Sequence, residues 1–265
     1  MKNKKLLIFI ISPIAVVVTA IILAFTLFGL NKVEINLKND STKFSSSVSQ
    51  EKVIDSGSFS KNSCVFFINK QNHTELLEKN NPYLKVINIE TKFPNKLIIH
   101  CIEREELFAL KVNDSKYFIV DSEFKLLNVI GEFESDSNNA ILLGGEINIE
   151  NKDAELGEFI SLGDEHDNIK NIYTSLFLNN RTPAEQKALF KEISIEYNLV
   201  SKPHLNIKDY NGLNICIKYM RDKLPQKLQC LFATYNQIDI SDYNGATLTI
   251  QENENNEIIA VFSKE

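Results

Sequence analysis

The sequence predicts an α+β protein: a single N-terminal transmembrane helix, a small α/β domain in the order βααββ, then a mixed β-rich domain with a few helices. Three observations predict it. Leu6 to Leu30 carries no charged residue. Lys92 to Glu105, KFPNKLIIHCIERE, alternates apolar residues behind a turn. Beyond Glu105, short alternating runs recur between turns rich in Asn, Asp and Gly.

The uncharged run is 25 residues long, enough to cross a hydrocarbon core of about 30 Å with some tilt. A cleaved signal peptide is the rival reading, with Val18-Thr19-Ala20 as the processing site. The apolar run continues through Ile21 to Leu30, which a processed signal does not need. An uncleaved anchor is therefore expected. Lys2, Lys4 and Lys5 precede the run, and Lys32, Lys38 and Lys43 follow it, so the positive-inside count is nearly even. The dense basic tail and the long domain beyond set the orientation. Residues 1–5 are a cytoplasmic tail, residues 6–30 are the span, and the bulk lies outside.

The first extracytoplasmic domain is expected over residues 33–105. Val33 to Leu37 reads as a strand, Asp40 to Ser49 as a Ser-rich loop, and Gln50 to Ser56 as a short helix ending at Gly57. Cys64 to Ile68 is a short apolar run. Lys70 to Asn80 is helical, stopped by Asn80-Asn81-Pro82. Leu84 to Ile89 then pairs with the strand in the opening motif. Between them, Phe93-Pro94-Asn95-Lys96 puts Pro94 second and Asn95 third in a type I turn. Leu97, Ile99 and Cys101 point one way, toward the helices; Ile98, His100 and Ile102 point the other.

Residues 106–265 are expected to form the β-rich domain. Strand candidates are Leu107 to Val112, Lys116 to Val120, Phe124 to Val129, Ile141 to Leu143, Ile193 to Tyr197, Leu205 to Asp209 and Leu213 to Tyr219. Ile169 to Leu178, Pro183 to Lys191 and Leu224 to Asn236 read as helices, the second capped by Thr182 with Glu185 three residues on. Ala246 to Gln251 and Ile258 to Ser263 form a terminal hairpin around Glu254-Asn255-Asn256.

Charge and motifs then exclude whole classes of function. Net charge is −6, and the three tail lysines hide a still more acidic remainder. Such a surface does not attract nucleic acid. Gly-x-Ser-x-Gly, His-Glu-x-x-His, a P-loop and the dinucleotide fingerprint are all missing from the sequence. His73, His100, His166 and His204 stand apart. Asp164-Glu165-His166-Asp167 reads as a solvated acidic loop rather than a set of metal oxygens. Glu103-Arg104 reads as a structural pair at a strand end rather than a catalytic carboxylate with a polarising base. Nothing assembles a nucleophile, a base and an oxyanion site. The expectation is no enzyme, no cofactor, no metal and no small-molecule substrate. Cys64, Cys101, Cys216 and Cys230 are too few and scattered for a disulfide framework. Cys64 with Cys101 and Cys216 with Cys230 are the pairings open within each half. Cys101 fits better as a buried thiol acting as a small hydrophobe.

Element order and the opening motif together carry a resemblance. Pro82-Tyr83-Leu84, Ile87, Ile89, Phe93-Pro94-Asn95 and Leu97-x-Ile99-x-Cys101-x-Glu103-Arg104 resemble the extracytoplasmic POTRA domain of the bacterial FtsQ/DivIB cell-division family. The likeness continues through Lys116 to Asp121, Ile193-Ser194-Ile195, Leu205-x-Ile207, Leu224 to Phe232 and Ile238-Asp239-Ile240. It departs at Glu106, where the family usually places Pro, at Phe124, where it often has Gly, and at Cys101, which replaces an aliphatic residue.

The resemblance implies a bitopic scaffold at the division septum. Such a scaffold binds FtsB/DivIC-like and FtsL-like partners and couples them to septal peptidoglycan synthesis. It also implies a partner-binding region over Asp239 to Ile250, next to the last strand. The candidate residues are Asp239, Ser241, Asp242, Tyr243, Gly245, Ala246, Leu248, Ile250, Ile259 and Val261. Of the alternating Ala246, Leu248, Ile250 and Thr247, Thr249, one set must face the core. The other set, or an open edge at Ile258 to Phe262, is left to receive a partner strand by β-augmentation. The rival readings are a membrane-anchored module of another envelope assembly, for sporulation or secretion, and an anchored cell-wall hydrolase.

Overall fold

A computed structural model describes residues 16, 18–19, 22, 26–39, 42–134, 140–178, 183–197 and 203–264. The expected cytoplasmic tail, most of the expected span and the expected Thr182 cap lie outside the described residues. Among the described residues no helix is long and apolar enough to cross a membrane. The chain divides into two units between Arg104 and Glu105.

In the first unit the elements are β1 (Lys32–Leu37), α1 (Ser47–Ser56), α2 (Lys70–Asn80), β2 (Leu84–Lys92) and β3 (Lys96–Glu103). This is the βααββ order read from the sequence. The sheet order is β1-β3-β2, with β1 parallel and β2 antiparallel to β3. Strand β3 is therefore hydrogen-bonded on both sides. Its inner residues Leu97, Ile99 and Cys101 are fully buried against Leu77, Leu84 and Val53. Burial pushes the Cys101 thiol up to about 11, so it is inert as a nucleophile.

Local chemistry sets the ends of these elements. Ser46 accepts a hydrogen bond from the Ser49 N–H, so α1 starts at Ser47, earlier than the expected Gln50. Asn69 caps α2 in the same way through Asn72. A bulge between Val86 and Asn88 turns Ile87 outward while Ile89 stays buried. The Phe93–Pro94 bond is cis, which replaces the expected type I geometry; only proline adopts this bond readily. The domain also begins earlier than residue 33. Leu30 is buried in its core, the Leu30 N–H donates to the Ser63 carbonyl, and Gly29 bridges Cys64.

Glu103 and Arg104 take separate roles instead of pairing. Arg104 is buried and donates to Glu78 at 3.0 Å, while Glu78 also accepts the Val86 N–H at 2.8 Å. Glu103 accepts the Thr42 N–H at 2.8 Å.

In the second unit the elements are β4 (Phe108–Asn113), β5 (Lys116–Val120), β6 (Leu126–Ile130), β7 (Ile141–Gly145), α3 (His166–Leu178), α4 (Pro183–Leu189), β8 (Phe190–Tyr197), β9 (Pro203–Asp209), β10 (Asn214–Ile217), α5 (Leu224–Tyr235), β11 (Ala246–Glu252) and β12 (Ile258–Lys264). The strands form one sheet in the order β12-β11-β10-β9-β8-β7-β4-β5-β6. β7 lies parallel between β4 and β8, and β10 runs parallel to β11. Leu143, Ile193, Ile195, Leu205, Ile207, Ile215, Leu248 and Ile250 pack one face of the sheet against Ile169 and Ile172 of α3 and Leu228 and Leu231 of α5. Helix α4 stops two residues short of the expected Lys191 because Phe190 already pairs with Asp209 in the sheet. At Gly145 (φ +80°) a Cβ would sit 2.1 Å from the Ile195 carbonyl oxygen, so only glycine fits between β7 and β8.

Two expectations in this unit change. Phe124 adopts φ +62°, the conformation a glycine would take, yet it is fully buried and stacks on Phe108 at 5.6 Å. Asp121 fixes the turn by accepting the Glu123 and Lys125 N–H groups, each at 2.9 Å. The acidic stretch at Asp164 to Asp167 is not simply a solvated loop. Glu165 is buried, accepts the Tyr197 hydroxyl at 2.5 Å and is ion-paired with Arg221. Among the described residues no cluster of metal-binding side chains forms, and the four cysteines are free thiols.

Candidate functional site

The terminal hairpin owes its register to its turn. Asn253 donates its N–H to the Glu257 carbonyl at 2.9 Å and accepts the Asn256 N–H at 3.0 Å. Its side-chain oxygen accepts the Asn255 and Glu257 N–H groups at 2.9 Å. Asn256 takes the left-handed conformation (φ +58°) that a three-residue hairpin loop requires. Two lysines hold this turn to helix α5. Lys223 reaches Glu252 at 2.9 Å and the Asn256 carbonyl at 3.2 Å. Lys227, with no exposed surface, donates to the Lys218 and Tyr219 carbonyls and pairs with Glu252 at 3.3 Å. Lys223 holds the Glu252 carboxyl below its usual range; burial opposes it, and Lys227 adds to the lowering. A charged clamp of this kind was not legible in the sequence, where Lys227 looks like any surface lysine.

Backbone parity follows from the turn. Hydrogen-bonded positions alternate along an antiparallel pair. Asn253 and Glu257 are bonded to each other, so the next bonded pairs are Gln251 with Ile259 and Thr249 with Val261. The Lys218 N–H donates to the Ile250 carbonyl, which confirms that Ile250 faces β10 and not β12. Ile259 and Val261 therefore spend their N–H and C=O groups on β11. The groups of Ile258, Ala260 and Phe262 point off the sheet. β12 is an edge strand, with no further strand beside it among the described residues.

Side chains divide the other way. Ala246, Leu248, Ile250 and Tyr243 are buried, so these four candidates support the hairpin from within rather than offering side chains to a partner. Tyr243 donates its hydroxyl to the Tyr235 carbonyl at 3.1 Å. Asp239, Ser241, Asp242 and Gly245 are exposed on the approach to β11. Asp239 accepts the Ser241 N–H, and that bond holds its carboxyl below the usual range. Asp242 meets Lys264 at 3.2 Å. Ile259 and Val261 lie beside Gln251 and Thr249 on the face away from α5, with Val261 exposed. The structure thus brings Asp239 to Gly245 and β12 to the same end of the sheet. The residues of the opening motif, Phe93 to Arg104, belong to the other unit.

The arrangement has no acid–base or nucleophilic constellation to describe; it is a strand edge held at fixed register. Comparisons with known proteins agree with its sequence context. Residues 43–104 match the family POTRA domain, FtsQ-type. The chain is 28% identical over 227 residues to cell division protein DivIB of Clostridium botulinum (strain Hall), covering 85% of this chain and 78% of the relative. DivIB of the Loch Maree strain is 29% identical over the same length. DivIB of Clostridium tetani is 29% identical over 123 residues, 46% of this chain and 44% of that one. Residues 43–104 thus carry a POTRA domain of the FtsQ type, and over most of its length the chain is similar to DivIB cell-division proteins.

Proposed function

We propose that the protein is a non-catalytic, single-pass scaffold of the division complex that captures an extended segment of an FtsB/DivIC-like partner on the outer edge of β12. The observation that carries this reading is the row of outward backbone groups at Ile258, Ala260 and Phe262 on an edge strand. An added strand bonds to such a row and gains affinity from the main chain, while neighbouring side chains supply specificity. Lys223, Lys227 and Glu252 hold the edge in place before the partner arrives, which lowers the ordering cost of binding. Exposed Asp239, Ser241 and Asp242 lie where a basic flank of the partner would pass. An FtsL-like protein joins the same assembly, which acts on septal peptidoglycan synthesis. The uncharged run Leu6 to Leu30 anchors the scaffold with Met1 to Lys5 in the cytoplasm and the rest outside.

Proline scanning tests the edge. Ala260→Pro and Phe262→Pro remove outward donors and should abolish capture of the partner in a pull-down, with circular dichroism unchanged. Ile259→Pro and Val261→Pro remove bonds to β11 and should loosen the hairpin itself. Wild-type capture by both Ala260→Pro and Phe262→Pro would move the interface elsewhere. External protease should digest the large domains in protoplasts. A fluorescent fusion should gather at mid-cell, and depletion should give filaments. A uniform membrane signal with normal division would refute the division role.

A further inference from the structure

We propose that a phenylalanine cluster on the first unit, Phe28, Phe66, Phe67 and Phe93, seats that unit in the headgroup boundary of the outer leaflet. This rests on the reading of Leu6 to Leu30 as a membrane span. Phe66 and Phe67 come from the turn Val65–Phe67, and Phe93 from the tip of the β2–β3 hairpin. They are 55%, 80% and 66% exposed. The Phe66 ring lies 5.0 Å from Phe28 and 5.4 Å from Phe93, and Phe28 lies 6.4 Å from Phe93. Single exposed apolar residues are ordinary, but a contiguous aromatic patch marks a contact surface.

Two observations identify the bilayer as the occupant. The first is continuity. Phe28 is itself near the end of the uncharged run, and Leu27 beside it is exposed. The Phe28 carbonyl accepts the Val65 N–H at 2.9 Å, Leu30 and Ser63 are bonded at 2.8 Å, and the Asn31 N–H donates to the Asn95 carbonyl at 2.8 Å. The run is thus tied by backbone bonds to both loops that carry the exposed rings. No slack separates its end from the patch. The second is charge layering. The sheet register puts Lys32, Lys96 and Lys92 in one row across all three strands, at the end where Phe93 projects. Two residues deeper the row is Glu34, Ile98 and Glu90. Glu34 holds Lys32 and Lys96, and Glu90 holds Lys92. Cations therefore lie toward the ring-bearing end and carboxylates behind them, the order that suits lipid phosphates outside an apolar boundary. Phenylalanine rings fill that boundary without a polar group to desolvate.

The chain contains no tryptophan, so single substitutions report depth cleanly. The full chain is reconstituted in vesicles of phosphatidylcholine and phosphatidylglycerol with bromines near the carbonyl end of the acyl chains. Phe67→Trp and Phe93→Trp should be blue-shifted and quenched by the bromines. Phe159→Trp, at an exposed aromatic of the second unit, should not be. Phe25→Trp, inside the uncharged run, reports the span. Quenching at Phe25→Trp without quenching at Phe67→Trp and Phe93→Trp would overturn the seating proposal and leave the span standing, with the patch assigned to a protein contact. No quenching at Phe25→Trp would overturn the span reading and the proposal with it. Circular dichroism of each variant checks that the fold is kept.

Discussion

The hairpin β2–β3 and the hairpin β11–β12 look alike in sequence and end up in opposite settings. Both alternate apolar residues around an Asn-containing turn. Strand β3 is sandwiched between β1 and β2, so its backbone is saturated and Leu97, Ile99 and Cys101 are fully buried. Strand β12 lies at the sheet edge, and all seven of its residues are half-buried or exposed. Alternation reveals which residues share a face. It does not reveal how many neighbours the strand has, and that number decides whether its backbone is bonded on both sides or on one.

The largest expected effect tests that contrast directly. Ile99→Asp puts a carboxyl into the first core and removes a buried aliphatic chain, so it should cost about 5 kcal/mol and unfold that unit. Val261→Asp, on exposed surface, should stay within about 0.5 kcal/mol. Urea denaturation measures both, and equal losses would break the comparison. The strand ends sharpen it. Arg104→Met takes a buried guanidinium from Glu78 and should cost about 3 kcal/mol. Lys264→Ala removes an exposed pair with Asp242 and should cost under about 1 kcal/mol.

A further effect, between those of Arg104→Met and Lys264→Ala, depends on pH and is confined to the second unit. Burial pushes the Glu165 carboxyl up, but hydrogen bonds from Tyr197, Asn168 and Arg221 outweigh it and hold the group below the ordinary value of 4.5. A depressed acid stabilises the fold above its unfolded-state value and loses that contribution as pH falls through the folded value. Glu165→Gln should therefore cost about 1–2 kcal/mol at neutral pH. The difference from the parent should shrink below pH 4.5. A constant difference across that range would show that charge plays no part at Glu165.

Much of the fold was legible because its signals are local. Helix α2 is bounded by Asn69 and by Asn81-Pro82, and strand β5 covers the expected Lys116 to Val120. What was not legible is long-range. The bonding parity of β12 follows from the turn at Asn253, whose side-chain oxygen fixes two N–H groups; shifting the parity by one residue exchanges the inward and outward groups. The sequence therefore supports an open edge at Ile258 to Phe262 but does not tell which of its residues bond outward. Glu165, Asp209 and Lys227 were unreadable for a different reason. Charged residues signal surface by default, and only tertiary partners such as Tyr197, Leu213 and the Tyr219 carbonyl make their burial tolerable. Burial nonetheless raises the Asp209 carboxyl above its usual range, despite the N–H groups it accepts.

Phe124 has a consequence for how this turn can change. A left-handed backbone costs a residue with a Cβ about 1–2 kcal/mol, so glycine is the better local choice. The ring stacked on Phe108 is worth about 3–5 kcal/mol when removed, so phenylalanine is the better global one. Phe124→Gly would ease the backbone and still lose stability. The position is entrenched: once the ring fills the core, the path back to glycine runs uphill until Phe108 or a neighbour grows to take its volume.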